Sequence, residues 1–316
     1  MRLLDTIGLR FVLISLGRFV LLLWLIVTIV FLLGRLLPGD PVEAMLGAEA
    51  RDPHTVQMLR GAYGLDLPLM TQYVRYLELV AHGNLGNSIQ NGSPVRAEIE
   101  ARIPATALLG GLGFSAGCFL GILAGTVLAY QHNERFDAWG TTLLAAINSV
   151  PVFVLGLGLL YVFGYRLGWL PVISIGDYRS LLLPATALAL GAGAYVGRLV
   201  RVGLLAQRSL QYVRALHGFG VPPSRIWVRH LLKNAALPVL TALSLVFAYC
   251  LAGNILVENV FSYPGLGRLL AESVLARDYP VIQGTVLWIA AIFLALNLLS
   301  EVIHVLIDPR LRRRKG

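Results

Sequence analysis

The sequence predicts an all-α, polytopic membrane protein with six transmembrane helices. Of its 316 residues, 57% are hydrophobic and only 14% are charged, and the mean hydropathy is +0.72. About a quarter of the residues in soluble domains are charged, so this chain lacks the polar surface that a soluble fold needs. About 20 mainly apolar helical residues cross a bilayer core. Six segments meet that requirement: 19–37, 105–130, 139–165, 181–200, 235–257 and 281–307.

The positions of the basic residues predict the orientation of the chain. Arginine and lysine concentrate in the segments 1–18, 201–234 and 308–316, and the middle segment holds six of them without any acidic residue. Basic loops remain on the cytoplasmic side of a membrane. We therefore expect a protein of the cell (inner) membrane with these three segments, and with them both termini, on the cytoplasmic side. The segment 38–104, which mixes acidic and basic residues, is then extracytoplasmic.

The first span and the outer segment carry two further signals. The apolar run 19–37 is too long for a signal-peptide core and no small-residue cleavage site follows it, so we expect a retained membrane anchor. Within the outer segment, Tyr73, Tyr76 and the apolar stretch Leu77–Val80 predict a short amphipathic helix that packs on the outer face.

Glycine and proline predict how the spans pack. Glycines at a strict four-residue spacing line one face of the second span and allow a close helix approach, as in small-residue membrane interfaces. They are Gly113, Gly117, Gly121 and Gly125, with Gly193 and Gly197 repeating the spacing in the fourth span. Pro151 removes a backbone donor within the third span and is expected to kink it.

Several functions are disfavoured by what the sequence lacks. The phosphate-binding spacing Gly-x-x-x-x-Gly-Lys-Ser/Thr occurs nowhere, so we expect no ATP hydrolysis by this chain through that loop. Two cysteines inside apolar runs and six scattered histidines predict no metal site, and no catalytic cluster stands out. The net charge is +9, and the basic residues that produce it flank the apolar runs. It predicts contact with membrane lipid and no nucleic-acid binding.

The most informative segment joins spans four and five. Its patterned part, Arg208–Pro238, is called the hairpin below. Leu210, Val213 and His217 share one helical face, glycines and prolines then break the helix, and Ser224 is expected to cap a second short helix. Two interpretations fit this pattern equally: a docking element for a motor protein, or a basic amphipathic hairpin lying on anionic lipid.

The hairpin resembles the coupling loop of ATP-binding-cassette (ABC) importer permeases, the Glu-Ala-Ala…Gly motif. Ala215 and Gly220 match its middle alanine and its glycine, whereas Arg214 replaces the glutamate and Leu216 the second alanine. This departure is similar to the peptide/nickel branch, whose loops read Tyr-Val-Arg…Gly and then Arg-His…Asn-Ala…Leu-Pro. The matching residues are Tyr212, Val213, Arg214, Gly220, Arg229, His230, Asn234, Ala235, Leu237 and Pro238.

Other stretches carry the same resemblance along nearly the whole chain. They are RLLPGDP (35–41), YGLDLPL (63–69), ENVFSYPGLGRLL (258–270), RDYPVIQG (277–284) and IDPRLR (307–312). The chain looks most like the first of two permeases in dipeptide, oligopeptide or nickel uptake. The resemblance implies the MetI-like fold of type I importers, with a five-helix core (105–307) that contains a coupling loop (201–234).

The resemblance also implies the partners. A second homologous permease would complete the pore, two cytoplasmic ATPase subunits would bind ATP and Mg²⁺ and receive the coupling loops, and an extracytoplasmic protein would deliver the substrate. This chain would hold no cofactor. The hypothesis assigns the sharp turn to Gly220 and close docking to Ala215.

An ion-coupled secondary transporter of a small solute is the alternative. It predicts inverted repeats and acidic residues in mid-span, neither of which is clear here. The sequence names no substrate-contact residue. It leaves open whether the cargo is a dipeptide, a longer peptide, glutathione, nickel or a metal chelate, and whether the permease pair is a heterodimer or a homodimer.

Overall fold

In a computed structural model, the described residues (9–36, 53–62, 66–131, 133–173 and 177–307) form helices joined by loops and contain no strand. The elements in chain order are α1 (Leu9–Leu36), α2 (Pro53–Ala62), α3 (Leu69–Ala81), α4 (Val95–Tyr130), α5 (Glu134–Ser149), α6 (Val152–Leu159), the π-helical π1 (Leu160–Arg166), α7 (Arg179–Arg208), α8 (Gln211–Gly218), α9 (Pro223–Arg225), the π-helical π2 (Ile226–Leu231), α10 (Leu232–Val260), α11 (Leu266–Ala276) and α12 (Tyr279–Ile307).

Several of these helices can cross a membrane. Within the described residues, α1, α4, α7 and α12 are long and apolar enough, and a fifth span results if α5 and α6–π1 count as one broken span. Helix α10 coincides with the predicted span 235–257, and many of its side chains lie outside the described part of the chain. The number six therefore stays a prediction.

The predicted segments that begin and end the chain lie partly outside the described residues. This holds for 1–8 of the N-terminal segment, for the basic tail 308–316, and for 37–52, which includes most of the RLLPGDP stretch. The helices extend beyond several predicted boundaries: α1 begins at Leu9 and α4 at Val95, and α7 continues to Arg208, so the first residues of the predicted coupling loop 201–234 belong to that helix.

The third predicted span is broken. Its two halves, α5 and α6–π1, differ in direction by 101°. Val150 is extended (φ −86°, ψ 127°), as the residue before a proline prefers to be, and Pro151 then precedes the first turn of α6. The predicted kink at Pro151 is confirmed, and it takes the form of a full break between two helices.

The chain divides into two compact units. The smaller contains Leu9–Pro104 with Gly265–Leu298. Here α3 is the amphipathic helix predicted from the tyrosine pair: the rings of Tyr73 and Tyr76 lie 5.3 and 5.5 Å from that of Phe31 on α1. The Tyr73 hydroxyl is also hydrogen-bonded to that of Thr28 at 2.7 Å. Burial raises the pKa of Tyr76 to about 12.

A buried carboxylate joins the turn 82–94, between α3 and α4, to the start of the last helix of this unit. Asp278, just before α12, accepts hydrogen bonds from the Ser88 hydroxyl (2.5 Å) and the Ile89 backbone N–H (3.2 Å). Val95, Ile99, Leu266, Leu269 and Val281 form the apolar core beside it. The turn and the start of α12 are therefore held together by both polar and apolar contacts.

The larger unit contains Ala105–Pro264 and is centred on α7. A Cβ atom placed on Gly121 of α4 would lie 2.6 Å from the Gly193 carbonyl oxygen and 2.7 Å from the Val196 Cβ, both on α7. Gly117 is as tight, since its Cβ would lie 2.7 Å from that of Ala192. The predicted close approach at the glycine face is confirmed.

The second arm of the hairpin is not a separate short helix. Residues Pro223–Val260 form one unbroken helical run through α9, π2 and α10, with right-handed helical backbone at each junction. Pro222 occupies the N-cap position and Pro223 the first helical position, where a proline loses no hydrogen bond. The predicted cap at Ser224 is wrong, because that serine already lies inside the helix.

Candidate functional site

The tip of the hairpin is a tight turn that only glycine adopts without strain. Gly220 has φ +73°. Its N–H donates to the His217 carbonyl (3.0 Å) and the Val221 N–H to the Leu216 carbonyl (3.1 Å), so the carbonyls at the end of α8 are satisfied by a Schellman motif. Leu216 and Val221 both pack against the same buried cluster. The predicted turn at Gly220 is therefore present.

The inner face of the hairpin belongs to the core of the larger unit. Val213 on α8 and Ile226 and Leu231 on π2 are 2%, 0% and 1% exposed. They join one apolar cluster with residues of α4, α7 and α10: Ala129, Ala192, Val196, Val200, Leu204, Ala235, Val246 and Cys250. The Trp227 ring meets that of Tyr130 edge-on at 5.1 Å. The hairpin is thus packed into the bundle through Val213, Ile226 and Leu231, whereas Leu210 and His217, expected on the same face as Val213, are exposed.

Tyr212 ties both arms of the hairpin together. Its hydroxyl donates to the Gln207 side-chain carbonyl at the end of α7 (3.1 Å), and it accepts from the Asn234 amide at the start of α10 (3.2 Å). Two residues predicted from the resemblance, Tyr212 and Asn234, are therefore brought into contact. Gln207 was not predicted, because a five-residue separation across a helix end follows no helical periodicity.

The outer face of the hairpin is exposed and basic. Arg214, Ala215 and Arg229 are exposed, and Leu216 is half-buried against the core. Arg225 and Lys233, which lie outside the predicted set, are also exposed. The backbone of Pro238 lies in α10, and its side chain is outside the described residues. The predicted residues therefore divide into an inner group that anchors the hairpin and an outer group that is open to a partner.

An ion pair not predicted from the sequence lies beside the hairpin. Arg201 on α7 donates through Nε to one carboxylate oxygen of Asp137 on α5 (2.6 Å) and through Nη2 to the other. Both side chains are largely buried, at 19% and 25% exposure. Paired guanidinium–carboxylate contacts are geometrically specific. This one fixes the start of α5 against the part of α7 that leads into the hairpin.

A second buried carboxylate lies at the far end of α10. Glu258 is fully buried and accepts a hydrogen bond from the Thr106 hydroxyl of α4 at 2.7 Å. Burial and the neighbouring Glu258 raise the pKa of the Tyr263 hydroxyl. The described residues contain no group of three or more His, Cys, Asp or Glu side chains that could hold a metal ion.

A helical membrane bundle with a basic, core-anchored hairpin between two of its long helices defines a class of transport subunit. Residues 117–313 match the family described as "binding-protein-dependent transport system inner membrane component", and residues 8–110 match the family of its N-terminal part. The chain belongs to this family, and it is a multi-pass permease subunit of an ABC importer. Members of the family work with ATPase subunits as partners.

Individual relatives agree with this assignment. The chain is 36% identical over 290 residues to the glutathione transport system permease protein of Escherichia coli O6:H1, and 37% identical over 290 residues to that of Pectobacterium atrosepticum, in each case covering 92% of this chain and 94% of the relative. A Brucella abortus protein named as a peptide transport system permease is 36% identical over 296 residues, covering 91% and 94%.

Two solved structures share the fold. The methionine ABC transporter MetNI in an inward-facing conformation aligns with a TM-score of 0.57 at 15% identity, covering 69% of this chain and 96% of that one. An amino acid ABC transporter aligns with a TM-score of 0.52 at 20% identity, covering 68% and 94%. At this identity the likeness supports the fold alone, which is the MetI-like fold.

Proposed function

We propose that this chain translocates peptides, including glutathione-like ones, and that its hairpin is the lever through which an ATPase subunit drives the pore. The observation that carries the proposal is the division of the hairpin into two faces. The inner face is part of the bundle core, through Val213, Ile226 and Leu231, whereas the outer face is exposed and basic. A coupling element needs both: a surface for the motor and a rigid attachment to the pore.

The contacts within the hairpin support its use as a lever. The Tyr212 hydroxyl bridges Gln207 and Asn234, so α7, α8 and α10 meet at one polar point. The second arm continues into α10 without a break. Packed protein cores shift between discrete arrangements and do not deform continuously. A displacement of the hairpin would therefore be passed to two long helices.

The ATPase subunits supply ATP binding and Mg²⁺ in this proposal. The chain contains no phosphate-binding loop, so it is not itself expected to be an enzyme. The remaining partners are a second homologous permease that completes the pore and an extracytoplasmic protein that delivers the substrate. We further propose six spans, with α10 as the fifth, and both termini in the cytoplasm. Labelling of single cysteines introduced near each terminus and in the outer segment tests that topology.

The relatives described above carry peptide or glutathione names, which favours peptides over nickel or metal chelates as cargo. Uptake of labelled dipeptides, oligopeptides, glutathione and Ni²⁺ by the complete transporter in proteoliposomes separates these substrates. We expect a peptide or glutathione to accumulate only when ATP is present on the side of the membrane that carries the ATPase subunits. Accumulation by this chain alone under an ion gradient would instead establish the secondary transporter.

The hairpin function is tested by a pair of glycine variants. Gly220→Leu forces a bulky side chain into a left-handed position, whereas the Gly218→Ala change lies in helical backbone, and neither position has another atom within 4 Å of the added Cβ. We expect Gly220→Leu to lower the amount of substrate taken up per ATP hydrolysed at least tenfold. Gly218→Ala should leave this ratio unchanged. Normal uptake per ATP hydrolysed in the Gly220 variant refutes the role of the hairpin.

A further inference from the structure

One large apolar side chain projects from the tip of the hairpin. Phe219 follows α8 directly and is 84% exposed. The space on both sides of it is open, because a Cβ added to Gly218 or Gly220 would meet no atom within 4 Å. Other large apolar side chains of α8 and π2 face the core: Val213, Ile226 and Leu231 are buried in it, and Leu216 and Trp227 are half-buried against it.

The backbone holds this phenylalanine in a defined position. Phe219 is the C-cap residue of α8, and its N–H donates to the Ala215 carbonyl at 2.9 Å. The next two residues close the Schellman motif, whose apolar contacts lie against the core. An exposed aromatic residue on a rigid turn loses little backbone entropy on binding, and such preorganised residues make good interface anchors.

The exposed charges of the hairpin indicate what kind of partner binds Phe219. Arg214, Arg225, Arg229 and Lys233 are exposed on the same hairpin. The sequence contains no aspartate or glutamate between Asp177 and Glu258, so nothing on this segment neutralises them. Electrostatic complementarity then requires an acidic surface on the partner.

The structure favours a protein partner over the lipid surface. A helix that lies on a membrane inserts a continuous apolar face between the headgroups. In the hairpin that face is already buried inside the protein, through Val213, Ile226 and Leu231. At the tip the Phe219 ring is left outside (84% exposed, against 44% for Leu210 at the start of α8), and the same hairpin exposes four cations. An apolar pocket with an acidic rim matches both features.

We propose that Phe219 is the apolar anchor of the hairpin and inserts into an apolar pocket with an acidic rim on the ATPase subunit. The proposal rests on the function proposed above and adds the residue that carries the binding energy and the chemistry of the surface that receives it. Phe219 lies next to the Gly220 position of the family motif, and the resemblance itself assigned it no role.

The test uses the full-length permease complex in nanodiscs and the ATPase subunit that co-purifies with it. Phe219→Ala removes the ring, Phe219→Leu keeps an apolar side chain, and Leu275→Ala is the matched control, because Leu275 is 86% exposed but lies on α11, away from the hairpin sequence. Affinity is measured in phosphatidylcholine nanodiscs and in nanodiscs that also contain phosphatidylglycerol. A photoreactive phenylalanine at position 219 identifies the contact directly.

We expect Phe219→Ala to weaken ATPase binding at least tenfold in both lipids, as truncation of an interface anchor does. Phe219→Leu should recover much of the loss, Leu275→Ala should stay within about twofold of wild type, and the photoreactive residue should label the ATPase. Raising NaCl from about 50 to about 500 mM should weaken binding further, because salt screens the acidic rim. Unchanged melting of each variant shows that the chain is folded.

Three results overturn the proposal. If wild type binds the ATPase and Phe219→Ala binds it equally well, Phe219 is not the anchor, and the coupling function proposed for the hairpin is unaffected. If the photoreactive residue labels lipid, and the effect of Phe219→Ala appears only with phosphatidylglycerol, the occupant is the membrane. If wild-type permease retains no ATPase, the function proposed for the hairpin fails as well.

Discussion

The glycine face of α4 offers a sharp test of the packing in the larger unit. Gly121→Ala adds one methyl group at a point where α4 meets α7. That methyl would lie 2.6 Å from the Gly193 carbonyl oxygen and 2.7 Å from the Val196 Cβ, closer than carbon atoms approach in proteins. Neither neighbour can rotate away, because one is backbone and the other is the first atom of its side chain. The two helices must therefore separate.

The magnitude follows from two opposing terms. Overpacking a tight core costs about 1–3 kcal/mol, and the absence of a movable neighbour places Gly121→Ala toward the upper end. Replacing a helical glycine by alanine stabilises the helix by about 0.5–1 kcal/mol. The expected net destabilisation is about 2 kcal/mol. Gly111→Ala on the same helix meets no atom within 4 Å, so only the stabilising term of about 0.5–1 kcal/mol remains.

A thiol-reactive fluorogenic maleimide measures the unfolding of both variants. Cys250 is fully buried and Cys118 is half-buried, so the dye reacts fully only as the bundle opens. We expect Gly121→Ala to unfold at a lower temperature than wild type and Gly111→Ala at the same or a higher one. If Gly121→Ala is at least as stable as Gly111→Ala, the close approach of α4 and α7 is wrong.

Three further changes test single contacts. Arg277 is exposed and has φ +55° just after α11, so Arg277→Gly should raise the unfolding temperature by relieving about 1 kcal/mol of left-handed strain; a decrease would contradict this. Tyr212→Phe removes both hydroxyl hydrogen bonds of the hairpin and should cost about 1–2 kcal/mol in the same assay. Asp137→Asn should lower the free energy of unfolding by about 1–3 kcal/mol, because it leaves a largely buried Arg201 without its counter-charge. The double variant that also carries Arg201→Gln should lose less stability than the sum of the two single variants.

Much of the local structure was predictable because its causes are local. The four-residue spacing from Gly113 to Gly125 specifies one helix face, and the structure confirms a close contact along it. Gly220 is similar, since a glycine between a helix end and two prolines indicates a left-handed turn. The tyrosine pair at Tyr73 and Tyr76 predicted the α3 surface for the same reason.

The remaining features depend on contacts between distant parts of the chain. Asp137 and Arg201 are 64 residues apart, and no periodic pattern links them. Pro151 indicates a break, but the angle of 101° is determined by what packs on each side of it. Ser224 has the chemistry of a helix cap, yet Pro222 and Pro223 start the helix earlier because their fixed φ angles already suit its first turn.

The unbroken helix from Pro223 to Val260 has a consequence for how force travels. Its 38 residues extend roughly 55 Å at the usual rise per residue, well beyond the 30 Å or so of a bilayer's hydrocarbon layer. With α10 as the proposed fifth span, we expect the remainder of this helix, which includes the second arm of the hairpin, to extend beyond the hydrocarbon layer. Because no break separates the two parts, we expect a displacement of the second arm to tilt or shift the proposed span directly.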